Sequence, residues 1–169
     1  MNLGRVAYRS RQVLLALHGQ SSPEGLATAQ KLLTASQMAL FRCMQTGEQA
    51  HSLKVMGRLL GQGEADTDLL IAALLHDIGK TRAPLRLWER VLIVLVKRFS
   101  PQSVKIWGIG VPRGWKRPFV VAEQHPHWGA KMALEAGISP RAIELIRNHQ
   151  HPLPDSVVLQ KLQAADDQS

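Results

Sequence analysis

The chain has 169 residues, 45% hydrophobic and 20% charged, proportions that exclude disorder for most of it and fit one domain spanning residues 1–169. A single cysteine, Cys43, excludes an internal disulfide framework and any multi-cysteine metal site. Twenty-one Lys and Arg against 13 acidic residues leave a net charge of +8, which favours anionic partners, and seven histidines are more than packing needs.

In chain order, Leu3–Leu17 shows helical periodicity that stops near Gly19. Its interspersed Arg5, Arg9 and Arg11 do not read as a secretory leader. Ser22 as N-cap and Pro23 at the first helical position open a second helix, expected to run to about Met44 with Met38, Leu40 and Met44 in the core. A third helix is expected from about Glu48 to Gly61. A fourth, capped by Asp66 or Thr67, should run from Asp68 to Ile78 and end at Gly79; apolar all round, it should be buried on every side. A fifth covers Pro84 to Phe99, and its apolar run Val91–Val96, flanked by Arg90, Lys97 and Arg98, is too short for a bilayer, which takes about 20 residues. Ser100–Arg117, with its prolines and glycines, reads mostly as loop. Helical patterns return at Phe119–Ala136, Pro140–His149 and Asp155 to about Ala165. No two-residue alternation or hairpin turn competes, so the expected class is all-α. The expected protein is cytoplasmic, without a transmembrane segment, and of undetermined oligomeric state.

The chemistry concentrates in Ala72-Ala73-Leu74-Leu75-His76-Asp77-Ile78-Gly79-Lys80, where a His-Asp pair closes a wholly apolar helix. A buried carboxylate needs a partner, and a metal ion would settle both residues at once. The alternative is that Asp77 caps the next segment while His76 is a satisfied core histidine. His51, His125, His149 and Asp166 also stand at or near predicted helix ends, where several helices can converge on one centre. Imidazole with carboxylate and no thiolate suits one or two divalent transition-metal ions, Fe, Mn, Zn, Ni or Co.

These residues, with the His125-Pro-x-x-Gly-Ala segment, Ile146-x-x-His149 and Ala165-Asp166, resemble the HD-domain superfamily of metal-dependent phosphohydrolases, in particular its HDIG-type branch. The resemblance covers about Gly47 to Ser169. It implies an all-α HD-domain bundle at 47–169, with 1–46 as an N-terminal helical extension. It implies that His51, His76, Asp77 and Asp166 hold a first metal, and that Asp77 bridges to a second held with His125 and His149. Dinuclear relatives often carry two adjacent histidines where this chain has His149-Gln150, and Pro152 biases His151 away from helical geometry. No Gly-Tyr-Pro follows His149, so the cyclic di-GMP phosphodiesterase subgroup fits poorly. Asp167 is the rival to Asp166 for the last ligand.

The resulting expectation is hydrolysis of a phosphate mono- or diester in a small anionic, nucleotide-type substrate, with Asp77 orienting or deprotonating the nucleophile. Lys80 would offset phosphoryl charge or, alternatively, only satisfy helix-end carbonyls, and Arg82 would contact substrate. Arg113, Lys116 and Arg117 could bind anions or be plain surface charge, and Trp107, Trp115 and Trp128 could stack a base or pack the core. His18 reads as surface, and His127 as either surface or substrate contact. The rivals are a metal-binding regulatory module without turnover, and a nuclease. Nucleic acid is not favoured as a partner, because the basic residues are scattered rather than in one run.

Overall fold

The structure, a computed structural model, describes residues 22–151 and 156–169. The helix expected over Leu3–Leu17, together with His18, Pro152 and Asp155, lies outside the described residues. Nine α-helices appear among those described, with no strand: α1 (Pro23–Leu32), α2 (Ala35–Cys43), α3 (Thr46–Gly61), α4 (Thr67–Leu75), α5 (Leu87–Phe99), α6 (Pro101–Trp107), α7 (Arg117–Glu135), α8 (Pro140–Asn148) and α9 (Val157–Asp167). Two 3-10 turns, Ile78–Arg82 and Gly114–Lys116, complete the order. The all-α expectation holds. No helix among the described residues is long and apolar enough to cross a membrane.

Two boundaries differ from the sequence reading for local reasons. The helix expected over 22–44 is two helices, because Thr34 forms a capping box: its hydroxyl accepts the Gln37 N–H, and the Gln37 side chain accepts the Thr34 N–H. That cap satisfies donors a continued helix would otherwise satisfy, so the chain turns there. In the stretch read as loop, Ser100 and Pro101 start α6, since proline costs nothing at a first helical position.

α4 is the centre of the molecule. Its Leu69–Leu75 are all buried, packed by α3, α8 and α9 in one apolar core that also takes Phe41, Met56, Leu59, Ile146 and Leu162. Ala29 of α1, with Met38 and Met44, belongs to this core and Leu40 packs against it.

α4 stops at Leu75 rather than Ile78, and the chain tightens from Asp77 into the first 3-10 turn. Gly79 does not terminate a helix. It lets the turn lie directly on α7: a Cβ there would fall 1.9 Å from the His125 carbonyl oxygen and 2.6 Å from the Gly129 nitrogen. On the other side of the contact, a Cβ on Gly129 would meet nothing closer than 3.2 Å. Gly79→Ala should therefore lower the thermal midpoint by about 5–10 °C, as overpacking against backbone does. Gly129→Ala should cost clearly less. Equal midpoints for the two variants in a thermal melt would contradict this packing.

Candidate metal centre

Three histidines at this centre are oriented by the same local device. His76 is the first residue past α4, and its Nδ1–H donates to the Ala73 carbonyl at 3.0 Å. His149 is the first residue past α8, and its Nδ1–H donates to the Ile146 carbonyl at 2.8 Å. The last-turn carbonyls of a helix lack amide partners, so an imidazole placed there finds an acceptor three residues back. His125 lies inside α7 and reaches the same state through Pro126. Proline has no N–H for the carbonyl four residues earlier, and that carbonyl, on Ala122, accepts from His125 Nδ1 at 3.0 Å, as does Val121. Each Nδ1 proton is thus committed to backbone, which turns each Nε2 toward the interior.

Asp77 is what the Nε2 atoms face. Its Oδ1 lies 3.2 Å from His125 Nε2 and 3.9 Å from His149 Nε2, and these two nitrogens are 3.3 Å apart. Its Oδ2 lies 3.6 Å from His76 Nε2 and 2.5 Å from Lys80 Nζ. From the far end of the chain, Asp166 Oδ1 comes within 2.7 Å of His51 Nε2 and 3.5 Å of His76 Nε2. The floor is dry, with the His76 and His125 side chains 1% exposed. The rim is open, with His51 at 21% and Asp166 at 28%.

Most of the residues singled out in the sequence meet here: His51, His76, Asp77, Lys80, His125, His149 and Asp166. Asp167 is exposed and makes none of these contacts. Gln150 and His151 are exposed too, so neither completes the His125–His149 side. Arg82 has another partner, its guanidinium 5.2 Å over the Trp128 ring, in a cleft also lined by Thr81, Lys131 and Met132. Arg117 is held by Glu89 at 2.5 Å, His127 is exposed, and Trp107 packs edge-on to Trp115 and Phe119. Sequence reading missed the buried Glu48 and Glu89, which tie α3 and α7 to α5 through Arg90 and Arg117. Each also accepts the backbone N–H three residues earlier, of Gln45 and of Arg86, and with no Ser, Thr, Asp or Asn at those N-caps the sequence carries no capping-box signature for either.

The arrangement fits a cation. His51, His76 and Asp77 offer ligand atoms within 4.8 Å of one another, and so do Asp77, His125 and His149; either group could hold a metal ion. His76 Nε2 is buried with no hydrogen-bond partner. Burial drives His125 below its ordinary pKa, and burial reinforced by the charge of His76 drives His149 to about 3. Both rings are therefore neutral, with Nε2 lone pairs facing each other and a carboxylate oxygen. Such a confrontation of acceptors is relieved by a positive ion among them.

His76 behaves differently. Burial opposes its charge, but the carboxylates of Asp77 and Asp166 outweigh burial and push it up to about 9. Burial likewise opposes ionisation of the two carboxyls. The Lys80 and His76 charges overcome it at Asp77, and the His76 charge with the His51 hydrogen bond overcomes it at Asp166, holding both well below the usual range. Without metal, the raised His76 value is a stabilising contribution, full below its ordinary 6.5 and lost as pH rises through about 9. The depressed His149 value works in the other direction, its contribution failing as pH falls from 6.5 toward about 3. In chelator, the thermal midpoint should thus decline between about pH 7 and 9.5, and His76→Gln should flatten that decline. A flat wild-type profile over this interval would contradict a charged His76.

A family model described as HD domain matches residues 49–168, well over half of the chain. No curated protein and no solved structure matches it. With a His-Asp pair at the end of a buried helix and imidazoles converging on it, the chain belongs to the HD domain family, within the superfamily of metal-dependent phosphohydrolases.

Proposed function

We propose that this protein is a metal-dependent phosphohydrolase acting on a phosphate mono- or diester, with residues 47–169 as its HD core and 1–46 as a helical extension. The observation that carries the reading is Asp77, one buried carboxylate with each oxygen turned to a different imidazole group. His51, His76, Asp77 and Asp166 would hold a first divalent ion, and Asp77, His125 and His149 a second. When bound, such an ion supplies Lewis acidity and makes water acidic enough to act as a nucleophile near neutral pH.

The chain's own residues supply the rest. His51 and Asp166 stand on the open rim, where a substrate enters, while His76 and His125 close the floor to water. Asp77 orients the attacking water rather than serving as its final proton acceptor, because a carboxylate held this far below the usual range is a weak base. The half-buried Lys80 ammonium adds fixed positive charge beside Asp77, favouring a phosphoryl group and the negative charge that grows on its oxygens. Arg82, stacked on Trp128, borders the adjacent cleft and would contact the remainder of a small anionic substrate.

The two positions differ in protein ligands, four against three, so metal titration should show two unequal steps. His125→Ala should remove the weaker step and leave the stronger one, whereas Asp77→Ala should abolish both. Lys80→Ala should leave both steps and lower kcat about 100-fold, the order expected for a lost charge-stabilising donor. Activity is read with aryl phosphate mono- and diesters after manganese, cobalt, zinc, nickel or ferrous iron is restored. Absence of turnover on every ester with both steps filled would overturn the reading and leave a metal-binding regulatory module.

A further inference from the structure

Charge and exposed apolar residues coincide in one stretch of the chain, which contributes no residue to the histidine cluster. Eight of the 21 Lys and Arg residues but one of the 13 acidic residues lie between Arg86 and Arg117, so this stretch carries +7 of the net +8. It comprises α5, α6 and the second 3-10 turn. Glu89 is the one buried residue of α5. Val91 to Val96 are all half-buried, and of these only Ile93 packs against a core cluster among the described residues. Seven of the ten exposed large hydrophobic residues described fall in the same stretch, among them Trp88, Phe99, Ile106, Ile109, Val111 and Trp115. Phe99 and Ile109 are 71% and 75% exposed.

This arm is fastened to the rest of the fold, with α5 and α6 both packed on α7. Glu48–Arg90 and Glu89–Arg117 pairs fasten α5 to α3 and α7, and Trp107, Trp115 and Phe119 pack edge-on against one another. Lys97, Arg98, Lys105, Arg113 and Lys116 are exposed and enter no ion pair among the described residues. Seven large apolar side chains exposed within 32 residues are more than scattered surface exposure accounts for, and such concentration marks an interaction surface.

Charge and shape select the occupant. A second copy of the arm would bring +7 against +7. Residues 1–21 carry Arg5, Arg9 and Arg11 and no acidic residue, so they too share its sign. Nucleic acid offers phosphates but no apolar place for Phe99, Ile106, Ile109 and Val111. A bilayer interface with anionic headgroups meets both needs, and indole rings such as Trp88 and Trp115 suit the headgroup level. The 13 residues of α5 span only about 20 Å, against about 30 Å of hydrocarbon, so the arm lies in the interface and does not span it. We propose that the α5–α6 arm is a peripheral docking surface for an anionic lipid bilayer.

The test is flotation of the full chain with phosphatidylcholine vesicles, alone or with about one part in three phosphatidylglycerol. The wild type should float with the anionic vesicles only, with Trp fluorescence shifted to the blue and quenched by brominated acyl chains. Lys97→Gln/Arg98→Gln should weaken binding roughly 25-fold, about fivefold per charge. Phe99→Ser/Ile109→Ser should weaken it at least about tenfold with the fold's thermal midpoint unchanged. Lys31→Gln/Lys54→Gln, which removes two exposed charges elsewhere, should leave binding intact. No flotation, no quenching, or equal loss in the control variant would overturn the proposal. So would preferential binding of an oligonucleotide through the same residues, or a dimer in sedimentation that Phe99→Ser/Ile109→Ser dissociates.

Discussion

A carboxylate can be buried only where positive charge or donors compensate it, and Asp77 is buried where three chain segments bring imidazoles and an ammonium to its two oxygens. That placement depends on one steric contact. The 3-10 turn after α4 rests on α7 with no room for a side chain at Gly79, so Asp77 on the turn and His125 on the helix are held at 3.2 Å. Move the turn outward by the width of a methyl group and the carboxylate no longer lies between the two imidazole groups.

The same economy governs the histidines. Helix ends leave carbonyls unpaired, and a proline inside a helix leaves one more. This chain places an imidazole against each such carbonyl at Ala73, Ala122 and Ile146, so a backbone feature that usually needs a solvent or a cap becomes the orienting contact for Nε2. The result is a set of rings whose Nε2 atoms already converge on Asp77, which would reduce the ordering cost of binding an ion there.

The molecule also divides its polar burden. The core around α4 is apolar, with charge admitted only at the Asp77 cluster and at the two carboxylate–arginine pairs that fasten α5. Nearly all excess positive charge is carried by the segment those pairs hold in place. Glu48 is one helical turn from His51 on α3, and Arg117 begins the helix that carries His125, so the arm and the cluster share two structural supports.

Local rules were legible in the sequence. The apolar all-round α4, the Pro23, Pro140 and Ser22 starts, and the Gly and Ser breaks give an all-α chain, because period and capping act within a few residues. The misread helix at Thr34 and the missed α6 are failures of the same local kind, a capping box and a first-turn proline overlooked. The family motifs pointed to His51, His76, Asp77, His125, His149 and Asp166 as a set. Sequence alone did not show that Lys80 pairs with Asp77, that Arg82 stacks on Trp128, or that Gln150 and His151 stay exposed. His51 and Asp166, 115 residues apart, meet at 2.7 Å only because α3 and α9 pack on the same core. Burial, pKa and acceptor confrontation depend on such distances, which no local pattern encodes; only the packing of α4, the turn and α7 decided them.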